Sequence, residues 1–86
     1  MNKAFQALAD PTRRTILKNL NIGEMPAGQI ADCFDMSNPS ITHHLNILKN
    51  ADLIQSEKRG QFVVYTLNTT VIGDVLGWFY ELTHRI

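Results

Sequence analysis

Apolar residues recur along this chain at two spacings, and the changes between them divide it into elements. Met1, Phe5 and Leu8 stand at helical spacing over two turns, a piece too short to persist unless it docks on something. Asp10-Pro11 then restarts the pattern, with Asp as N-cap and Pro at the first helical position. The helix that follows turns Ile16, Leu17 and Leu20 to a core and leaves Arg13, Arg14 and Lys18 outside it, and Gly23 is placed to cap its end. Met25-Pro26 opens a second short helix, Ala27 to Phe34, whose apolar side is Ile30, Ala31 and Phe34. From Ser37 to Ala51 the stripe Ile41, Leu45, Leu48 recurs at i, i+4, i+7, with Ser37 as cap and Pro39 in the first turn.

The spacing then changes to that of strands. Leu53 to Glu57, a basic turn Lys58-Arg59-Gly60-Gln61, and the β-branched and aromatic run Phe62 to Leu67 predict a hairpin with a glycine at its tip. A last helix starts at Thr69 or Thr70 and runs to about Arg85. Val71, Val75, Trp78 and Leu82 form one apolar stripe on it, and Ile72, Leu76 and Phe79 a second beside it. One stripe docks a helix on its own domain; a second calls for another cover, for which a second copy of the same helix is the natural candidate. The fold predicted is mainly α with a small β-hairpin wing (α+β), a winged helix-turn-helix that dimerises, in one domain spanning residues 1–86. Its dimer interface is expected on the terminal helices, about 1–9 and 69–85, through Met1, Phe5, Leu8, Val71, Ile72, Val75, Trp78, Phe79 and Leu82.

The polar positions of 37–51 turn this outline toward a function. Asn38, Ser40, Thr42, His43, Asn46 and Lys49 surround the stripe, and no carboxylate occurs from Met36 to Ala51. An ordinary solvated face is rich in Glu and Lys, whereas Asn, Ser, Thr and His suit base edges and phosphate oxygens. The formal net charge of zero, eight Lys and Arg against eight Asp and Glu, argues the other way, because phosphate neutralisation dominates DNA affinity. Its distribution softens the objection: the acids Asp10, Glu24, Asp32 and Asp35 precede this stretch, and Lys58-Arg59 follow it. An apolar fraction of 44% belongs to a folded domain, no apolar run approaches a membrane span, and Met1-Asn2-Lys3 does not lead into a secretory h-region. The single Cys33 forms no internal disulfide, fits a reducing cytoplasm, and is expected as a small core residue. No glycine-rich phosphate loop or catalytic frame of carboxylates or Cys/His is present, so an enzyme is not expected. The rival to a DNA reader is a winged-helix module that binds protein.

The segments Leu8-Ala9-Asp10-Pro11-Thr12-Arg13-Arg14, Ser37-Asn38-Pro39-Ser40-Ile41-Thr42-His43-His44-Leu45 and Lys58-Arg59-Gly60-Gln61-Phe62 through Asn68 carry a resemblance over almost the whole chain. Together they resemble the ArsR/SmtB family of bacterial winged-helix repressors, and most of all its compact SdpR-like members. The resemblance implies a cytoplasmic homodimeric repressor whose 37–51 helix enters the major groove of a palindromic operator. It implies DNA contacts by Ser37, Asn38, Ser40, Thr42 and His43, and wing contacts by Lys58, Arg59 and Gln61; Asn46 and Lys49 extend the same face. Many members sense metals, but the matching positions here lack the ligands. Pro26 and Gly28 stand where a Cys-x-Cys pair would be, and Asp74 is followed two on by Leu76 instead of His. Glu81 and His84 make one i, i+3 pair, short of a tetrahedral set, and the adjacent His43 and His44 point about 100° apart on a helix. The expectation is a repressor without metal or cofactor, released by a signal from outside the chain such as a regulatory protein partner.

Overall fold

A computed structural model describes residues 1–84. Its elements are α1 (Asn2–Leu8), α2 (Pro11–Ile22), β1 (Met25–Pro26), α3 (Ala27–Asp32), α4 (Asn38–Asn50), β2 (Ile54–Arg59), β3 (Phe62–Leu67) and α5 (Thr69–Thr83). The order matches the sequence reading with one addition. Met25-Pro26 does lead into α3, with Pro26 as its N-cap, but it also forms a two-residue strand, so the hairpin grows into an antiparallel sheet of order β1-β3-β2. Two residues are too few for any periodicity to show, and Pro26 sits on an edge strand, where its missing N–H costs little. The far end expected for the last helix, Arg85, lies outside the described residues.

One core joins the helices to the sheet. It contains Ala4 and Ala7 of α1, Ile16, Leu17 and Leu20 of α2, Ile30 of α3, Ile41, Leu45 and Leu48 of α4, then Leu53, Ile54 and Val75. The stripes expected on α2 and α4 are the ones buried. On α1 they are not. The docked face is Ala4–Ala7, whose small side chains let the helix approach closely, while Phe5 and Leu8 pack at the rim and Met1 is exposed. Cys33 also departs from expectation. The helix stops at Asp32, Ile30 and Phe34 take the core side, and the exposed Cys33 thiol turns back to the Gln29 carbonyl at 3.3 Å. Gly23 does stand at the C-cap of α2, but with φ 173° it is extended rather than left-handed.

The two stripes on α5 divide by length rather than by side. Val71, Ile72 and Val75 of its first half pack on the core. Beyond them Leu76 is 62% exposed and Leu82 66%, with Trp78, Phe79 and Tyr80 also uncovered. Phe5 is the one aromatic of α1 that reaches this half, edge-on to Trp78 at 5.4 Å and to Phe79 at 5.9 Å.

Candidate nucleic-acid interface

The interface is built outward from the start of α4. Ser37 is extended (φ −66°, ψ 151°) and its Oγ accepts the Ser40 N–H at 3.3 Å while donating to Ser40 Oγ at 2.9 Å. These two serines therefore do a helix-start task before any other. Asn38, Thr42, His43, Asn46 and Lys49 are exposed, whereas Ile41, Leu45 and Leu48 are buried beneath them. Each buried aliphatic contributes about 1.5–3 kcal/mol, which fixes a helix that alone would be marginal and leaves its polar side unencumbered.

The helix ends as firmly as it begins. Asp52 takes φ +59°, its N–H meets the Lys49 carbonyl at 3.0 Å, and the Leu53 N–H reaches back to Leu48 at 3.1 Å. This is a Schellman ending with Asp in the left-handed position that glycine usually fills, and the apolar pair Leu48–Leu53 closes it from below. The tight exit brings β2 alongside, so that Lys49 and Asn50 border the same groove as Gln55, Ser56 and Glu57.

Of the two histidines, only His43 faces solvent. His44 has 14% of its side chain exposed and turns toward the α1–α2 corner. There its Nδ1 accepts from Arg13 Nη1 at 3.1 Å, with Asp10 Oδ2 at 3.8 Å. Arg13 also donates from Nε to the Ala7 carbonyl at 2.7 Å and from Nη2 to that of Gln6 at 3.2 Å, and Arg14 donates to Leu8 at 2.7 Å. Both arginines thus satisfy the orphan carbonyls at the end of α1. Asp10 completes the corner as the N-cap of α2. The Arg13 N–H, at 3.1 Å from its carboxylate, is the first cause holding the Asp10 pKa below the usual 3.8; the charge of Arg13 acts in the same direction.

The wing is tighter than the sequence implied. Lys58 and Arg59 belong to β2 and pair with Val63 and Phe62, so the turn is only Gly60-Gln61. Gly60 alone has positive φ there (+59°), the backbone pattern of a type II′ hairpin. Lys58 and Gln61 are exposed. Arg59 is held: its Nε and Nη2 donate to Glu57 Oε2 at 3.2 and 3.0 Å, and its Nη1 pairs with Glu24 Oε2. These hydrogen bonds, that to Glu57 foremost, push the guanidinium pKa further up. The sequence shows Glu24 only as one of the acids before the helix and Glu57 only as the end of a strand, neither of them as a partner of Arg59. For Glu57 a signal existed, since i and i+2 share a face on a strand; for Glu24 there was none.

Among the described residues no group of three or more His, Cys, Asp or Glu is gathered as for a metal ion, and no helix is long and apolar enough to cross a membrane.

Comparison with known proteins places this geometry. Residues 10–56 match the model of a family described as "Bacterial regulatory protein, arsR family". The transcriptional repressor SdpR of Bacillus subtilis is 51% identical over 85 residues, 99% of this chain and 94% of that protein. The HTH-type transcriptional regulator NmtR of Mycobacterium tuberculosis is 34% identical over 72 residues, 84% of this chain and 60% of that protein. A crystal structure of an ArsR family transcriptional regulator superposes with a TM-score of 0.87 at 34% identity, covering 95% of this chain and 84% of that one. The relatives are transcription regulators, not enzymes, and the chain belongs to the arsR family of winged-helix regulatory proteins.

Proposed function

We propose that this protein represses transcription as a homodimer on a palindromic operator, with α4 of each protomer in the major groove and the wing, through Lys58 and Gln61, on the flanking backbone or minor groove. The observation that carries this reading is the exposed, acid-free face of α4 set on a rigid stripe. Asn38, Thr42 and His43, near the N-terminus of the helix, reach base edges, with Ser37 and Ser40 beside them; Asn46 and Lys49 continue toward the backbone. The dimer rests on the uncovered half of α5 and on Met1, Phe5 and Leu8 of α1. The name of the SdpR relative supports repression, and the comparisons lend no support to a protein-binding module. Release from the operator comes from outside the domain, most simply through a regulatory protein that competes for the DNA face or the dimer surface. Tethering candidate partners by affinity pull-down tests that part, and recovery of none counts against it.

The test is a footprint of the purified protein on its own upstream DNA, repeated across salt. If Lys49 and Lys58 of both protomers neutralise phosphate, log K falls against log salt with a slope of about −3 to −4. A palindromic footprint with that dependence supports the reading. Binding no tighter than to random DNA returns the choice to the interaction module.

A further inference from the structure

Three of the arginines face the protein's own oxygens. Arg13 and Arg14 meet backbone carbonyls at the end of α1, a capping task. Arg59 is different, because its partners are two carboxylates. Glu57 lies two residues back on the same strand, and Glu24 lies 35 residues away, between α2 and β1. All three side chains are about half exposed or more, at 50% for Arg59, 47% for Glu24 and 67% for Glu57. Exposed pairs of this kind add little to stability, so their effect lies elsewhere. It lies in charge: beside the wing turn, where a polyanion would approach, a lone guanidinium presents +1 while this triad presents −1. Within hydrogen-bonding reach of two carboxylates, Arg59 has to give up existing contacts before it can meet phosphate.

We propose that Glu24 and Glu57 hold Arg59 out of phosphate contact and so keep the sequence-independent DNA affinity of this protein low. The inference rests on the DNA-reading function above. Non-specific binding comes almost wholly from phosphate neutralisation, so withdrawing a wing cation from each protomer lowers retention on bulk DNA. Occupancy of the operator then depends on the base contacts of α4. The zero net charge of the chain fits such a design, since long-range attraction to DNA is weak throughout.

Anisotropy titrations of wild type, Glu24→Gln/Glu57→Gln, and the same pair with Arg59→Gln test it, on an upstream duplex and on a random duplex at two salt concentrations. The double variant is expected to bind the random duplex roughly fivefold more tightly at low salt, with a salt slope steeper by about 0.9 per protomer. Adding Arg59→Gln should return the salt slope to that of wild type and remove most of the gain in affinity. A double variant that binds no tighter overturns the proposal. So does a triple variant that keeps the gain, because loss of negative charge alone would then explain it. Arg59→Gln alone is a further check: a slope shallower by about 0.9 per protomer means that Arg59 already contacts phosphate, which also overturns it. Thermal melts confirm folding, and if the double variant does not fold, Glu57→Gln alone is held to the same criteria. Wild type without preference for the upstream duplex refutes the operator reading. Wild type with that preference, beside an unimproved double variant, refutes only the masking.

Discussion

At the α1–α2 corner one residue does two tasks. Asp10 caps α2 through the Arg13 N–H, and it stands beside His44 and the Arg13 side chain that closes α1. Its folded-state pKa is lowered from 3.8, so the fold favours the ionised carboxylate. The linkage follows in sign: this stability is fully present above the unfolded pKa and is lost as pH falls through the folded value. Asn at this position keeps a capping oxygen but cannot titrate. Asp10→Asn is therefore expected to be less stable than wild type in urea at pH 6, with the gap narrowing at pH 3. An equal gap at both pH values would show that the charge is irrelevant and that shape alone matters. The same corner explains why Ala-Asp-Pro-Thr-Arg-Arg is a recognisable string. Its three charged members each satisfy a helix end: Asp10 the start of α2, Arg13 and Arg14 the finish of α1.

For α4 as an element, the question is which polar side chains serve the helix and which are left for DNA. Ser37 and Ser40 are tied to each other across the first turn. Asn38, next to them at the first helical position, is exposed, and none of the side-chain hydrogen bonds among the described residues involves it. The two substitutions should separate accordingly. Ser37→Ala is expected to lower stability by about 1 kcal/mol, as loss of a serine N-cap does. Asn38→Ala should leave the melting temperature unchanged and cost about 1–3 kcal/mol of discrimination at one base pair per half-site. Binding to single-base operator variants, set beside thermal melts, distinguishes them. If Asn38→Ala weakens binding equally on every sequence, Asn38 touches backbone instead of a base.

On the scale of the whole molecule, α5 is the feature that the core covers only in part. The chain measures 48 × 24 × 20 Å, and the outer half of α5 presents Leu76, Trp78, Phe79, Tyr80 and Leu82 to solvent. An apolar surface of this kind marks an association site. Leu76→Glu with Leu82→Glu alters two side chains that are uncovered in the single chain, so the protomer core is spared. Sedimentation velocity is expected to show a dimer for wild type and a monomer for this variant, and operator affinity should fall with it, because half-site pairing is lost. A variant that stays dimeric would move the interface elsewhere.

Much of this protein is written in residues that are close along the chain. The caps Asp10 and Ser37, the prolines after them, the stripes of α2 and α4, the hairpin around Gly60 and the acid-free polar face are properties of a few consecutive positions. Backbone geometry converts such local patterns directly into helices and turns, and that is why they were legible, along with the helix proposed to read DNA. The tertiary structure decided the rest. It chose the alanine face of α1 over the line of larger residues, because close approach to α2 and α4 favours small side chains there. It recruited Met25-Pro26 as a third strand, since β3 offered an edge. It divided α5 by how far the core extends beneath it. And it joined Glu24 to Arg59 across 35 residues, a pairing that no local spacing encodes because only the packing of β1 against β3 brings those side chains together.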